Sequence, residues 1–339
     1  MKTNNKVFII AEAGVNHNGS LKKALKLIDI AASSGANAIK FQTFKAENLA
    51  TKYAPKAEYQ KNKSSKHENQ FQMLKKLEFT DAMHKVCFKK CQKKKIIFIS
   101  SAFDIKNLYY LKKFNLNYFK VPSGEITNIP YLEVLGKFNK KTILSTGMSN
   151  TDEIKRAVNT LINFGTNRRK IILMQCTSAY PAPYNEVNLN TINTLRHMFK
   201  LNVGFSDHSL GTQASIAAVA LGARVIEKHF TLSNKLKGPD HKASLNPQNF
   251  KYMVKSIRIV EKMLGSKNKK ITKSEKKNIK IVRKSIVALK KIKKNEKFSN
   301  LNITCKRPGS GISPIFFKKI LGKKSKKNFN VDDLIKFNK

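Results

Sequence analysis

Residues 7–35 read VFIIAEAGVNHNGSLKKALKLIDIAASSG, and this stretch decides the fold because it holds one complete strand, loop and helix. VFIIAEAG is a short apolar run rich in Val, Ile and Phe, the composition of a buried strand. After a few polar residues, Ser20 opens a segment whose apolar residues Leu21, Ala24, Leu25, Ile28 and Ala32 recur at helical spacing. The unit then repeats. Further strands are predicted at AIKFQTF (38–44), IIFISSAF (96–103), YFKVPSGE (118–125), TILSTGM (142–148), KIILMQCTS (170–178), NVGFSDHS (202–209) and RVIEKHFTL (224–232). Eight strands alternating with helices up to about residue 264 predict parallel strands covered on both faces, closed into a (β/α)8 barrel over residues 1–265.

One connection breaks the rhythm. Residues 45–79 form a long polar insertion after a strand's C-terminal end, where barrel enzymes keep their active sites, so the insertion is a candidate lid. Residues 266–282 read as a charged linker, and 283–339, with short β-like pieces and glycines, as a small second domain.

The chain has 339 residues and a net charge of +46, from 67 basic and 21 acidic side chains. Such charge raises nucleic-acid binding as a class. Against it, only eight of the basic residues are arginine and the lysines are spread along the whole chain, so a solvated lysine surface is the simpler reading. No apolar run is long enough to span a membrane, and the apolar stretch after MKTNNK is too short for a secretory leader, so the expected location is cytoplasmic. The cysteines, Cys87, Cys91, Cys176 and Cys305, lack zinc-type spacing and read as reduced structural thiols.

In a parallel barrel the C-terminal strand ends converge on one pocket. Polar residues there include Glu12; Lys40 and Gln42; Ser100 and Ser101; Lys120, Ser123 and Glu125; Ser145 and Thr146; Thr177 and Ser178; Ser206, Asp207 and His208; and Glu227, Lys228 and His229. A lone Ser or Thr at such a place is often a helix cap. Lys40 and Lys120 are harder to explain so, since an unpaired ammonium inside an apolar strand costs several kcal/mol or more (order of magnitude). Glu12 and Glu125 could pair with them, or a bound phosphate or carboxylate could, held by the surrounding hydroxyls. His208 and His229 end neighbouring strands. Two imidazoles with open positions for oxygen ligands would suit a catalytic Mn2+, Mg2+ or Zn2+.

Eight ordered blocks carry a resemblance: IIAEAGVNHNGSLKKALKLIDIA, KFQTF, FKVPSGE, ILSTGM, CTSAYPAPY, GFSDHSLG, ALGARVIEKHFTL and GPDHKASLNP. Together they resemble the N-acetylneuraminate (sialic acid) synthase family, and residues 283–339, with RKSIVA and KRPGSGISP, resemble its C-terminal antifreeze-like (SAF) domain. The resemblance implies condensation of phosphoenolpyruvate with an open-chain N-acylated mannosamine-type sugar, releasing phosphate by C–O cleavage. It implies Lys40, Lys120, Ser123, Ser145 and Ser206 on phosphoenolpyruvate, Glu12 and Glu125 as catalytic carboxylates, and Mn2+ or Mg2+ on His208 and His229. Gln42, Ser178, Tyr180 and Asp240 would touch substrate, Glu227 would hold a metal-bound water, and Arg307 would reach the sugar of the other subunit in a domain-swapped homodimer. Serine at 178, where an asparagine is associated with N-acetylmannosamine users, leaves open a 2,4-diacetamido sugar and a legionaminate-type product. Nucleic acid and membrane are not expected partners. Two other classes stand beside this reading: a Schiff-base aldolase on Lys40 or Lys120, and a non-catalytic anion- or nucleic-acid-binding protein.

Overall fold

Eight parallel strands pair in sequence order, and the last closes onto the first. They are β1 Phe8–Gly14, β2 Ala38–Thr43, β3 Ile97–Ala102, β4 Tyr118–Val121, β5 Lys141–Ser145, β6 Ile171–Cys176, β7 Asn202–Asp207 and β8 Val225–His229. The computed structural model describes residues 6–56 and 68–336, and the chain divides into two units, Met1–Gly265 and Ser266–Lys339.

Because side chains alternate across a strand, each barrel strand sends one residue set inward and the other toward the helices. Ile10, Ala38, Ile99, Ile143, Met174 and Val225 form an apolar plug inside the barrel, with Phe8, Ile97, Tyr118 and Ile172 below them. Phe8 and Tyr118, from β1 and β4, stack across the interior with ring centroids 4.9 Å apart. The intervening residues, among them Ile9, Phe41, Leu144, Leu173, Phe205 and Ile226, join the larger core shared with the helices. Gly204 keeps β7 close to its neighbours: a Cβ there would lie 2.5 Å from both Met174 Sδ and Val225 O.

Local signals place the helices. Ser20 caps Leu21–Ser33 by accepting from Lys23 N, and Asn150 with Glu153 forms a capping box on Thr151–Asn163. β4 ends four residues earlier than the predicted stretch 118–125. Pro122, which has no N–H for the ladder, stops it, and Ser123–Glu125 follows as a 3-10 turn.

The described part of the 45–79 insertion is not a bare loop. It contains the helices Ala46–Leu49 and Gln70–Leu77, and Met73 and Leu77 pack with Val15 and Phe44. Residues 57–67 of the insertion lie outside the described residues. Among the described residues no helix is long and apolar enough to cross a membrane. All four thiols are free, and burial pushes that of Cys87 up to about 12.

In the second unit, the stretch read as a linker contains a helix, Lys273–Val282, started by a capping box between Thr272 and Glu275. Strands β9 Ser285–Ala288 and β10 Ile303–Lys306 pair antiparallel. Ile286, Ala288, Ile292, Phe298, Ile303, Ile320, Phe329 and Ile335 form the unit's own core.

Candidate active site

Above the apolar plug the inward set turns polar. Two residues on from Ile10 comes Glu12, on from Ala38 comes Lys40, on from Ile99 comes Ser101, on from Ile143 comes Ser145, and on from Val225 comes Glu227; Lys120 and Ser206 complete the ring. The ring is closely bonded. Lys40 Nζ lies 2.8 Å from Glu12 Oε2 and 3.7 Å from Glu227 Oε2, and donates to Ser101 Oγ at 3.3 Å. Lys120 Nζ lies 3.3 Å from Glu227 Oε1 and donates to Ser145 Oγ at 2.8 Å. Ser206 Oγ donates to Glu227 Oε1 at 2.9 Å. All of these side chains are buried.

The two carboxyls respond oppositely to this setting. Burial, reinforced by the charge of Glu227, raises Glu12 to about 8 despite the ammonium of Lys40. Burial also opposes ionisation of Glu227, but Lys120, Lys40 and the Ser206 hydroxyl together hold it down at about 2. Burial pushes Lys120 below the ordinary lysine range, whereas its two carboxylate neighbours outweigh burial and raise Lys40. Two ammonium groups therefore face the ionised Glu227 and a Glu12 whose carboxyl burial pushes toward its neutral form. Such a floor attracts an anion.

At the rim, His208 and His229 have ring centroids 5.6 Å apart, and Tyr180 packs against both, at 4.2 and 5.6 Å. Burial keeps both imidazoles neutral, His208 at about 4 and His229 well below the ordinary range. Neutral imidazole is the form that binds metal. His208 Nδ1 lies 2.7 Å from the Thr177 carbonyl, the kind of outer contact that orients a ligating histidine, and its Nε2 lies 3.4 Å from Ser206 Oγ. His229 Nδ1 is buried with no hydrogen-bond partner among the described residues, 3.9 Å from Asp240 Oδ2. The pair thus fits a divalent ion that takes its other ligands from water or substrate. Among the described residues no group of three or more His, Cys, Asp or Glu side chains is arranged to hold one. Gly14, at φ +51°, lets the chain pass this rim: a Cβ there would lie 3.1 Å from Glu12 Oε1, 3.3 Å from His229 Cε1 and 3.5 Å from Gln42 Nε2.

A second polar group surrounds Gly147. A Cβ on that residue would fall 2.3 Å from Ser178 Oγ, 2.7 Å from Ser123 Oγ and 2.8 Å from Cys176 Sγ. Ser123 Oγ accepts from Gly147 N at 3.2 Å and lies 3.3 Å from Cys176 Sγ. Glu125 stands apart from the ring. Its Oε2 accepts from Asn128 Nδ2 at 2.7 Å, and burial raises its carboxyl, with Asp104 adding to the rise. Arg307 follows β10 in the second unit and is exposed.

Strand alternation also separates residues that a linear reading lists together. Asp207, Lys228 and Ser100 face the helices: Asp207 bonds Ser215 of Gln213–Ala220, while Ser100 Oγ lies 2.6 Å from Oγ1 of Thr43, which is itself 2.7 Å from His84 Nε2 of Asp81–Lys94. Cys176, read from sequence as a structural thiol, lies in the site, and Thr177, expected there for its hydroxyl, brings its carbonyl to His208 while its hydroxyl donates to the Glu186 carbonyl. The signal for Cys176 was present, since it is two residues on from the plug residue Met174.

A closed barrel whose eight strand ends supply paired lysines, carboxylates, hydroxyls and two neutral histidines defines a class, and the chain belongs to the NeuB family: the family's profile matches residues 27–269 and that of the SAF domain matches residues 283–339. The chain is 53% identical over 331 residues to the N,N'-diacetyllegionaminic acid synthase of Campylobacter jejuni, covering 98% of this chain and 99% of that one. It is 42% identical to the protein of the same name from Legionella pneumophila, covering 95% and 91%. Among solved structures, the N-acetylneuraminic acid (sialic acid) synthetase of Leptospira borgpetersenii, in complex with citrate, aligns with a TM-score of 0.72 at 34% identity, covering 81% of this chain and 91% of that one.

Proposed function

We propose that the chain is a nonulosonate synthase that joins phosphoenolpyruvate to an open-chain 2,4-diacetamido-2,4,6-trideoxyhexose of mannosamine type, giving an N,N'-diacetyllegionaminate-type 2-keto acid and phosphate. The observation that carries the reaction class is the buried floor in which Lys40 and Lys120 meet at Glu227, with Glu12 2.8 Å from Lys40 and its carboxyl pushed up by burial. It is built for a small, highly charged anion. The relatives named for N,N'-diacetyllegionaminic acid, together with serine at position 178, favour the diacetamido sugar over N-acetylmannosamine.

In this reading Lys40, Lys120, Ser123, Ser145 and Ser206 donate to the phosphate and carboxylate of phosphoenolpyruvate, so C3 is turned toward the sugar. C3 attacks the aldehyde carbon, water adds at the cationic C2, and the C2–O bond breaks to release phosphate. A divalent ion on His208 and His229, Mn2+ or Mg2+, would supply Lewis-acid polarisation and orientation of the aldehyde oxygen. Glu12, whose carboxyl burial pushes toward its protonated form, is the group to give a proton to oxygen at the reacting centre. Gln42, Tyr180, Ser178 and Asp240 contact sugar at the rim, Glu227 orients water as well as the lysines, and Glu125 contributes from the β4 turn. Arg307 contacts the sugar of the other subunit in a domain-swapped homodimer.

Phosphate release measured with phosphoenolpyruvate and divalent metal tests the proposal. It should require a sugar, and kcat/KM should be higher for 2,4-diacetamido-2,4,6-trideoxymannose than for N-acetylmannosamine. The reverse preference would reject the sugar assignment, and sugar-independent release would reject the synthase itself. Borohydride trapping of a lysine adduct would instead restore the aldolase reading; family membership gives that reading no support.

A further inference from the structure

The sheet carries a second charged pair, with its back to the site. Asp207 and Lys228 are partners across β7 and β8, and neither side chain has any solvent exposure. Each stands between two site residues: Asp207 between Ser206 and His208, Lys228 between Glu227 and His229. Alternation turns the pair toward the helix layer. There Lys228 Nζ lies 3.0 Å from Asp207 Oδ2 and donates to the Ser209 carbonyl at 2.5 Å. Asp207 Oδ1 accepts from Ser209 N at 2.9 Å and Ser209 Oγ at 2.6 Å, and Oδ2 accepts from Ser215 Oγ at 2.6 Å.

A buried ion pair is a weak source of net stability, because desolvating two charges offsets their attraction, and an apolar pair would fasten sheet to helix as well. What this one supplies is direction. β7 ends at Asp207, so the backbone that carries His208 has already left the regular ladder. Its course is set by Ser209, whose N–H and hydroxyl bond Asp207 and whose carbonyl receives Lys228. The imidazole of His208 is therefore placed from behind.

We propose that Asp207 and Lys228 are positioning residues that hold the His208 and His229 rings at the separation a divalent ion needs and keep Ser206 aimed at Glu227. The inference rests on the reading of those histidines as metal holders. The same contacts explain why SDHS alternates two side chains that face the site with two that do not.

Mn2+ titration followed by electron paramagnetic resonance, on the full-length chain, tests this. The wild type should bind Mn2+ and His208→Ala should not. The double variant Asp207→Asn/Lys228→Met removes both charges together and keeps acceptors for Ser209. It should stay folded by circular dichroism yet bind Mn2+ roughly 10- to 100-fold more weakly, the effect of losing outer support for metal ligands. Its kcat should fall while KM for phosphoenolpyruvate changes little. Wild-type Mn2+ affinity in the folded double variant overturns this inference alone, whereas absence of Mn2+ binding by the wild type overturns the metal reading and this inference with it. Should the double variant not fold, Ser215→Ala removes a single contact to Asp207 and should weaken Mn2+ binding several-fold; unchanged affinity there overturns the inference equally.

Discussion

Glu227→Gln is the substitution that most directly probes the charged floor, because one carboxylate there serves two lysines. Lys120 lies 3.3 Å and Lys40 3.7 Å from it; at an effective dielectric of about 20 each attraction is on the order of 5 kcal/mol. Burial of the carboxylate removes much of that sum. What remains can be read from its acidity, which moves from 4.5 to about 2 and corresponds to roughly 3 kcal/mol favouring the ionised form. This agrees with the 3–5 kcal/mol or so typical of breaking a buried pair by removing one member. The sign follows from the direction: the contribution is fully present above about pH 4.5 and is lost as the pH falls toward 2. Chemical denaturation at pH 7 in chelator should therefore show Glu227→Gln less stable by about 3 kcal/mol. The variant also leaves the two ammonium groups with less anionic charge, so inorganic phosphate should raise its midpoint more than it raises that of the wild type. A loss below about 1 kcal/mol, the range of an exposed pair, or equal stabilisation by phosphate, would refute the reasoning.

Two further predictions concern other parts of the molecule. His17 and His84 are buried away from the charged floor, and desolvation lowers both from 6.5 to about 4. The unfolded chain thus takes up protons first on acidification, so stability should be full above about pH 6.5 and decline toward pH 4, by up to roughly 3 kcal/mol for each imidazole; unfolding free energies at pH 7.5 and pH 5 that coincide would contradict this. Arg307→Ala should lower kcat/KM for the sugar by tenfold or so, about the worth of one hydrogen bond to a charged group, with phosphoenolpyruvate affinity unchanged. Unaltered sugar kinetics would remove Arg307 from the site.

Much of the barrel was legible because each strand is a compact apolar run and each helix has its own start signal, as Ser20 shows. The polar strand ends were legible for the same reason, since lysine in AIKFQ or YFKVP contradicts its surroundings. Which polar residues share the pocket was harder. EKH at 227–229 places Glu227 and His229 inward and Lys228 outward, and the distinction depends on strand phase, to be had only by counting in twos from plug residues such as Ile10 and Val225. Glu125 looked like part of a strand because YFKVPSGE is continuous in texture; Pro122 ends the ladder, and the carboxylate turns to Asn128. In the charged 266–282 stretch the composition hid a helix whose TKSE capping box marked its start. The His208–His229 approach follows from neighbouring strand ends, but the Thr177 carbonyl that orients His208 comes from β6α connectivity that no local pattern announces.

The central claim is a condensation that breaks the C–O bond of phosphoenolpyruvate, and its most direct test labels that bond. Phosphoenolpyruvate carrying 18O in the bridging position should yield, with the 2,4-diacetamido sugar and Mn2+, phosphate that retains the label and a nine-carbon keto acid without it. Unlabelled phosphate, or no phosphate at all with any N-acylated sugar, would contradict the account.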